Sequence, residues 1–291
     1  MRMNSRNRYS GIFLFSLMPL LQASCAKSET VLIVGDPYIE TIYGGNWYGE
    51  QTFFRLKIKL KGYRIAHALA DRENRLIDIL DNLDNSADIV ILSPWNADSI
   101  VELPPSDTKF IIAGGLYNSI SNHRVVSLIP DRIPIIEQFG IIASKISFES
   151  GKPAIAVFDA SSEVQLGEID ALVNAFGAGG ELIVININEK EYRDLPSRFG
   201  EVFKEAGVLL LFAGPANYRA IEASENQLLP VFTESLGASK AWKYRIIASV
   251  EDNLKVLDRA VLKTLKSENP NGIIYYTAHL QKGDLYKQFV R

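Results

Sequence analysis

Residues 152–178 read KPAIAVFDASSEVQLGEIDALVNAFGA, and their order decides the fold class. Ala154 to Phe158 is an unbroken apolar run that stops at Asp159. A strand that is apolar on both faces is one covered on both faces. Small and polar residues follow, and the spacing then predicts a helix over 162–176, closed by Gly177. Strand, short turn and amphipathic helix make half of a parallel crossover unit.

The same alternation runs outward in both directions. Towards the N-terminus, TVLIVGD (30–36) is a buried strand, and NWYGEQTFFRLKIKLKG (46–62) carries Trp47, Phe54 and Ile58 at helical spacing before Gly62. YRIAHALA (63–70) is a strand, and DRENRLIDILDNL (71–83) is a helix with Leu76, Ile79, Leu80 and Leu83 on one face. ADIVILSP (87–94), KFIIAGG (109–115) and RVVSLIPD (124–131) read as three more strands. A helix is predicted from Ile133 to Gly151, after which the quoted stretch restarts the pattern. Strands ELIVINI (181–187), GVLLLFAG (207–214), LPVFTES (229–235) and RIIASV (245–250) alternate with helices over 196–206 and 216–224. A last helix, DNLKVLDRAVLKTLKS (252–267), precedes the apolar GIIYYTAHL (272–280). Two such runs predict an α/β chain of two doubly wound, Rossmann-like parallel-sheet domains, changing over near Ile129–Arg132.

The first 24 residues read differently. Arg2, Arg6 and Arg8 precede an apolar run of 11 residues, Gly11 to Leu21, and no acid occurs before Glu29. A spanning helix needs roughly 20 apolar residues, so the run reads as the core of an export signal. Ala23, Ser24 and then Cys25, the only cysteine, follow it. This order resembles the lipobox of bacterial lipoprotein precursors, with Gln22 where that pattern usually has Leu. The resemblance implies that residues 1–24 are a signal peptide, that Cys25 takes a lipid, and that 25–29 is a tether. The alternative is ordinary signal cleavage near Ala23. Either way a disulfide within the chain is impossible. Beyond the leader, 28 basic residues stand against 34 acidic ones, a net charge of −6 over 267 residues. No run of Lys and Arg with interleaved aromatics occurs, so no nucleic-acid partner is expected.

Ligands of open parallel sheets gather beyond the carboxyl ends of the strands. The residues found there are the candidate binding set. Asp36, Tyr38, Tyr43, Asn46 and Trp47 follow the first strand, Ser93 and Trp95 the third, and Asn118 the fourth. In the second half Asp159, Asn217 and Glu234 hold the equivalent places. Aromatic faces suit rings, while carboxylates and amides suit hydroxyls. A sugar or nucleoside fits both. Each residue also has a plain reading: Tyr43 and Trp47 as helix core, Asp36 and Asp159 as helix caps. Catalysis finds no support. Zinc-protease, nucleophile-elbow and phosphate-loop patterns are absent, and His67, His123 and His279 share no ligand spacing. Ser106-x-x-Lys109 lacks companion motifs, and GAGG (177–180) follows a helix instead of opening one. No enzyme activity, cofactor or metal is expected.

Taken together, ADIVILSPW, the stretch 152–178, GVLLLFAGPANYRAIEA and IIASVEDNLKVLDRAVLKTL resemble the type I periplasmic binding proteins over essentially all of 30–291. GGNWYGE is a loose match to the basic membrane protein branch of that family. The resemblance implies one lobe of 30–129 with 250–276 and another of 130–249 with 277–291. It also implies a hinge near Leu128–Arg132, Ser249–Asp252 and Thr277–Gln281, and a monomer that closes on a small-molecule solute. The implied partners are an ABC permease and, through the lipid, a bacterial membrane, periplasmic or cell-surface. A scaffold of the same fold that binds another protein is the alternative.

Overall fold

The computed structural model describes residues 28–37, 52–71, 73–83, 87–115, 124–159, 163–187, 195–214, 216–224, 228–234, 244–267 and 272–290. Tyr38, Tyr43, Asn46, Trp47, Asn118 and the lipidation candidate Cys25 lie outside them, as does the side chain of Trp95.

Among the described residues, twelve strands form two sheets of six. The first holds β1 (Thr30–Gly35), β2 (Arg64–Leu69), β3 (Ile89–Leu92), β4 (Lys109–Ala113), β5 (Arg124–Asp131) and β11 (Gly272–Thr277). Its order is β11-β5-β4-β3-β1-β2, parallel throughout. The second holds β6 (Ala154–Asp159), β7 (Leu182–Ile187), β8 (Val208–Phe212), β9 (Val231–Glu234), β10 (Ile246–Glu251) and β12 (His279–Lys282). Its order is β12-β10-β9-β8-β6-β7, the same winding, with β12 antiparallel to β10.

The unbroken apolar runs are explained by the cores. In β1, Val31 and Ile33 enter one cluster while Leu32 and Val34 enter another on the opposite face. Helices α1 (Thr52–Leu60) and α7 (Leu254–Thr264) supply Phe54, Ile58, Leu257 and Val261 to the first. Helix α2 (Leu76–Asp81) and a 3₁₀ turn at Asp98–Glu102 supply Leu76 and Ile100 to the second. The other sheet repeats the scheme. Helices α3 (Ile133–Ser150) and α4 (Glu163–Phe176) cover one face, and α5 (Leu195–Lys204) and α6 (Ala216–Ala223) the other. Beneath α3, Phe139 meets Phe232 at 4.7 Å between ring centroids, and Phe158 meets Phe212 at 5.0 Å. Each such ring adds roughly 1.5–3 kcal/mol through burial alone. Helix α3 ends at Gly151, whose φ of 65° places it in the left-handed cap conformation.

The chain passes between the sheets three times: from β5 to α3 across Arg132, from β10 to α7 across Asp252 and Asn253, and from β11 to β12 across Ala278. The first and third passages touch, since the Ala278 N–H donates to the Asp131 carbonyl at 3.3 Å. The run 272–280 thus belongs to two sheets. A short helix α8 (Tyr286–Phe289) closes the chain against the second sheet. Among the described residues, no helix is long and apolar enough to cross a membrane.

Candidate functional site

All parallel strands of a sheet point one way, so the carboxyl ends of each sheet share one edge, and the three passages leave from those edges. A charged cluster sits there. Arg132, the residue between β5 and α3, forms an ion pair with Glu234 at the end of β9. Its Nε lies 4.0 Å from Oε1 of Glu168 on α4. Glu234 is held from its other side, because its Oε1 accepts from the Gly214 N–H at 2.7 Å. From the second passage Asp252 joins in: its Oδ1 accepts from the Tyr276 hydroxyl of β11 at 2.8 Å. Burial opposes charge on Arg132, but Glu234, Glu168 and Asp252 outweigh it, and the guanidinium is held above its ordinary value. Glu168 goes the other way. Burial and the Glu234 charge, opposed by Arg132, push its carboxyl up to about 7.

Gly114, at the end of β4, lets this cluster close. Its φ of +97° suits glycine, and a Cβ there would lie 3.3 Å from Oδ2 of Asp252 and 3.6 Å from the Tyr276 hydroxyl.

The sequence-derived candidates fall into three groups. Glu234 stands inside the cluster. Asn217 lies beside it at the start of α6: its Oδ1 accepts from the Ala213 N–H at 2.9 Å, so Asn217 and Glu234 together fix the turn after β8. The Asn217 Nδ2, fully buried, has no hydrogen-bond partner among the described residues. Asp36 and Ser93 are buried at the ends of β1 and β3. Asn96 ties those two ends together, its Nδ2 donating to the Gly35 carbonyl and to the Ser93 hydroxyl, both at 3.1 Å. Asp159 ends β6 and is half-buried. Pro94, read from sequence as the end of a strand, instead begins a 3₁₀ turn over Pro94–Asn96, which places the Trp95 backbone at the same edge.

Sequence reasoning missed Arg132, Glu168, Asp252 and Tyr276 as site residues. Arg132 and Asp252 were in view only as hinge positions. The available signal was a cation between two prolines, Pro130 and Pro134, at a change of domain. Glu168 gave none, because a lone acid in an amphipathic helix reads as a solvated face.

Among the described residues, no group of three His, Cys, Asp or Glu is placed to hold a metal ion. What the arrangement offers is a binding surface: converging carboxylates, one guanidinium and a buried amide.

The fold is that of the type I periplasmic binding proteins. No family model matches the sequence, and no curated protein matches it. Among solved structures, a Caulobacter myo-inositol binding protein bound to myo-inositol is 13% identical with a TM-score of 0.58, over 89% of this chain and 95% of that one. A periplasmic ribose ABC transporter protein from Conexibacter woesei is 12% identical with a TM-score of 0.56, over 90% and 94%. An ABC domain in complex with L-Trp from Streptococcus pneumonia is 12% identical with a TM-score of 0.59, over 90% and 98%. At such identities the likeness is one of fold.

Proposed function

We propose that this chain is an exported receptor that captures a small polar solute between its two sheets and delivers it to an ABC importer. The observation that carries the reading is the position of the charged cluster. Arg132 and Asp252 lie on two of the three passages, so a solute bound there touches the parts that let the lobes move. The lobes in this reading are 30–129 with 250–276 and 130–249 with 277–291. Asp36, Ser93 and Trp95 would line one side and Asp159, Asn217 and Glu234 the other, with Tyr38, Tyr43, Asn46, Trp47 and Asn118 completing the first wall. Neighbours of this fold that hold myo-inositol and L-Trp support a solute of that size. The chemistry required is recognition without turnover, so the reading is a non-enzyme.

Thermal-shift screening of the chain from Cys25 onward, with sugars, nucleosides and amino acids, tests this. A solute at 100 times its Kd adds about 2.7 kcal/mol to stability and raises Tm measurably. No shift across the panel, together with co-purification of an envelope protein, sinks the receptor reading in favour of a protein-binding scaffold.

In the same reading Cys25 carries the membrane anchor. Two or three acyl chains, at about 0.8 kcal/mol per buried methylene, hold a protein firmly to a bilayer. Radioactive palmitate should label the wild-type precursor in a bacterial host and fail to label Cys25→Ala; label on the variant would remove the anchor.

A further inference from the structure

Strand β11 is an edge of the first sheet, and among the described residues it has a strand beside it, β5, on one side only. Its sequence GIIYYT holds no charge and no proline, the usual guards of an open edge. Ile273, Ile274 and Tyr275 are 51%, 42% and 67% exposed, whereas the inner strands β3 and β4 are wholly buried. The ladder fixes which backbone groups face out. Thr277 is in register with Asp131, and the Ala278 N–H donates to the Asp131 carbonyl, so the even-numbered residues of β11 bond to β5. The N–H and C=O groups of Ile273, Tyr275 and Thr277 therefore turn to the open side.

Helix α7 runs beside that edge. Arg259 and Lys263 of the helix and Ile274 of the strand line a groove between the two elements. Arg259 and Lys263 lie one helical turn apart, and both are exposed. The end of α7 that carries Lys263 lies by the amino ends of the strands, since the Thr264 carbonyl accepts from Lys109 at the start of β4. Asp131, the acid of this groove, stands at its far end, opposite Thr277. The cations therefore run beside the exposed half of β11 and the acid beside the passage. Strand alternation divides the side chains. Tyr276 packs into the cluster beneath α7 with Leu257 and Val261, so Ile274 shares its face, and Ile273 and Tyr275 stand on the other. The open edge thus offers main-chain hydrogen bonds between two unlike faces, one basic and one apolar.

We propose that β11 accepts an extended acidic segment of another protein as an added strand of the first sheet. Alternate side chains of that segment are acidic on the α7 side, where they meet Arg259 and Lys263, and apolar on the other, where they meet Ile273 and Tyr275. The charges and the backbone choose among occupants. A second copy would pair β11 with β11 antiparallel, about a two-fold axis normal to the sheet. That symmetry brings both α7 helices to one face and sets Arg259 and Lys263 against their counterparts. A membrane would leave the outward N–H and C=O groups without partners. A basic segment meets like charge. The surface lies outside the strand-end cluster and does not depend on solute capture.

Calorimetry of the wild-type chain with short, end-blocked peptides tests this. A peptide alternating Glu and Val should bind, and its affinity should fall as salt rises. A peptide alternating Lys and Val should not bind, nor should the Glu peptide methylated at every backbone nitrogen. Removing either cation should weaken binding by up to about fivefold. Reversing both, Arg259→Glu with Lys263→Glu, should turn the preference to the Lys peptide. Tyr275→Pro takes away an N–H that turns outward, so it should abolish binding while Tm stays near the wild-type value. If that variant does not fold, the methylated peptide reads the same contact. Equal binding of the Glu and Lys peptides, binding of the methylated peptide, or binding of none overturns the inference. A wild-type dimer that Tyr275→Pro disperses assigns the edge to a second copy. Adsorption to phosphatidylglycerol vesicles that the double reversal abolishes assigns it to a membrane. Either result also overturns the inference, and all of them leave the receptor reading standing.

Discussion

Arg132 is the residue through which the described site is tied together. Removing its charge leaves Glu234 and Glu168 facing each other, and breaking a buried pair from one side costs about 3–5 kcal/mol. Arg132→Met should therefore unfold at clearly lower urea concentration than wild type at pH 7.5, while Arg132→Lys, which keeps the charge but not the fork, should lose less. Equal midpoints for all three proteins would show that the cluster does not stabilise the fold. Glu168 gives a pH-dependent counterpart. Its folded-state carboxyl is raised to about 7 from 4.5, so the folded chain holds a proton that the unfolded chain has lost between those values. The stability this group contributes is full below about pH 4.5 and falls as pH rises through 7. Asp258 on α7, raised to about 6 by burial despite Lys57, acts in the same direction. Glu168→Gln should accordingly gain on wild type as pH goes from 5 to 8, read as a Tm difference that grows with pH. A difference independent of pH contradicts the assignment. Glu234 was within reach of sequence reasoning because a strand end is a place where ligands gather. Glu168 was not, since its meaning comes from an arginine 36 positions away that only the packing of α4 beside the β5–α3 passage brings near it.

At the level of elements, the strands were legible and the edges were not. Strands such as 154–158 and 208–212 announce themselves because both of their faces are covered, leaving no polar residue to break the run. The run 272–280 announces only that it is apolar. Its division at Ala278 between two sheets, and the antiparallel pairing of β12, follow from where β10 and β5 already lie. Gly283 holds that division in place. Its N–H donates to the Ile247 carbonyl at 2.8 Å, and a Cβ on it would stand 2.0 Å from the Ile246 carbonyl oxygen, which is backbone and cannot swing aside. Gly283→Ala should prise β12 from β10 and lower Tm well beyond Gly151→Ala. The latter meets open space and carries only the left-handed backbone penalty of roughly 1–2 kcal/mol. Amide exchange across Ala248–Glu251 should also accelerate in Gly283→Ala alone. Equal melting of the two variants contradicts the packing argument.

Over the whole molecule, two sheets of the same strand order meet through three short passages, and the charged cluster occupies the meeting place. Such a layout favours one motion, bending about the passages, because the cores on either side are separate clusters of buried side chains. In the receptor reading proposed above, a solute that reaches Glu234 and Asp252 at once would bridge β9 to the second passage, and binding would then be linked to closure. Small-angle scattering of the wild-type chain, without and with a saturating solute found by thermal shift, measures that link directly. The radius of gyration should fall on binding and should not fall with a probe that gives no thermal shift. A radius unchanged by a solute that nonetheless raises Tm would contradict closure about the passages.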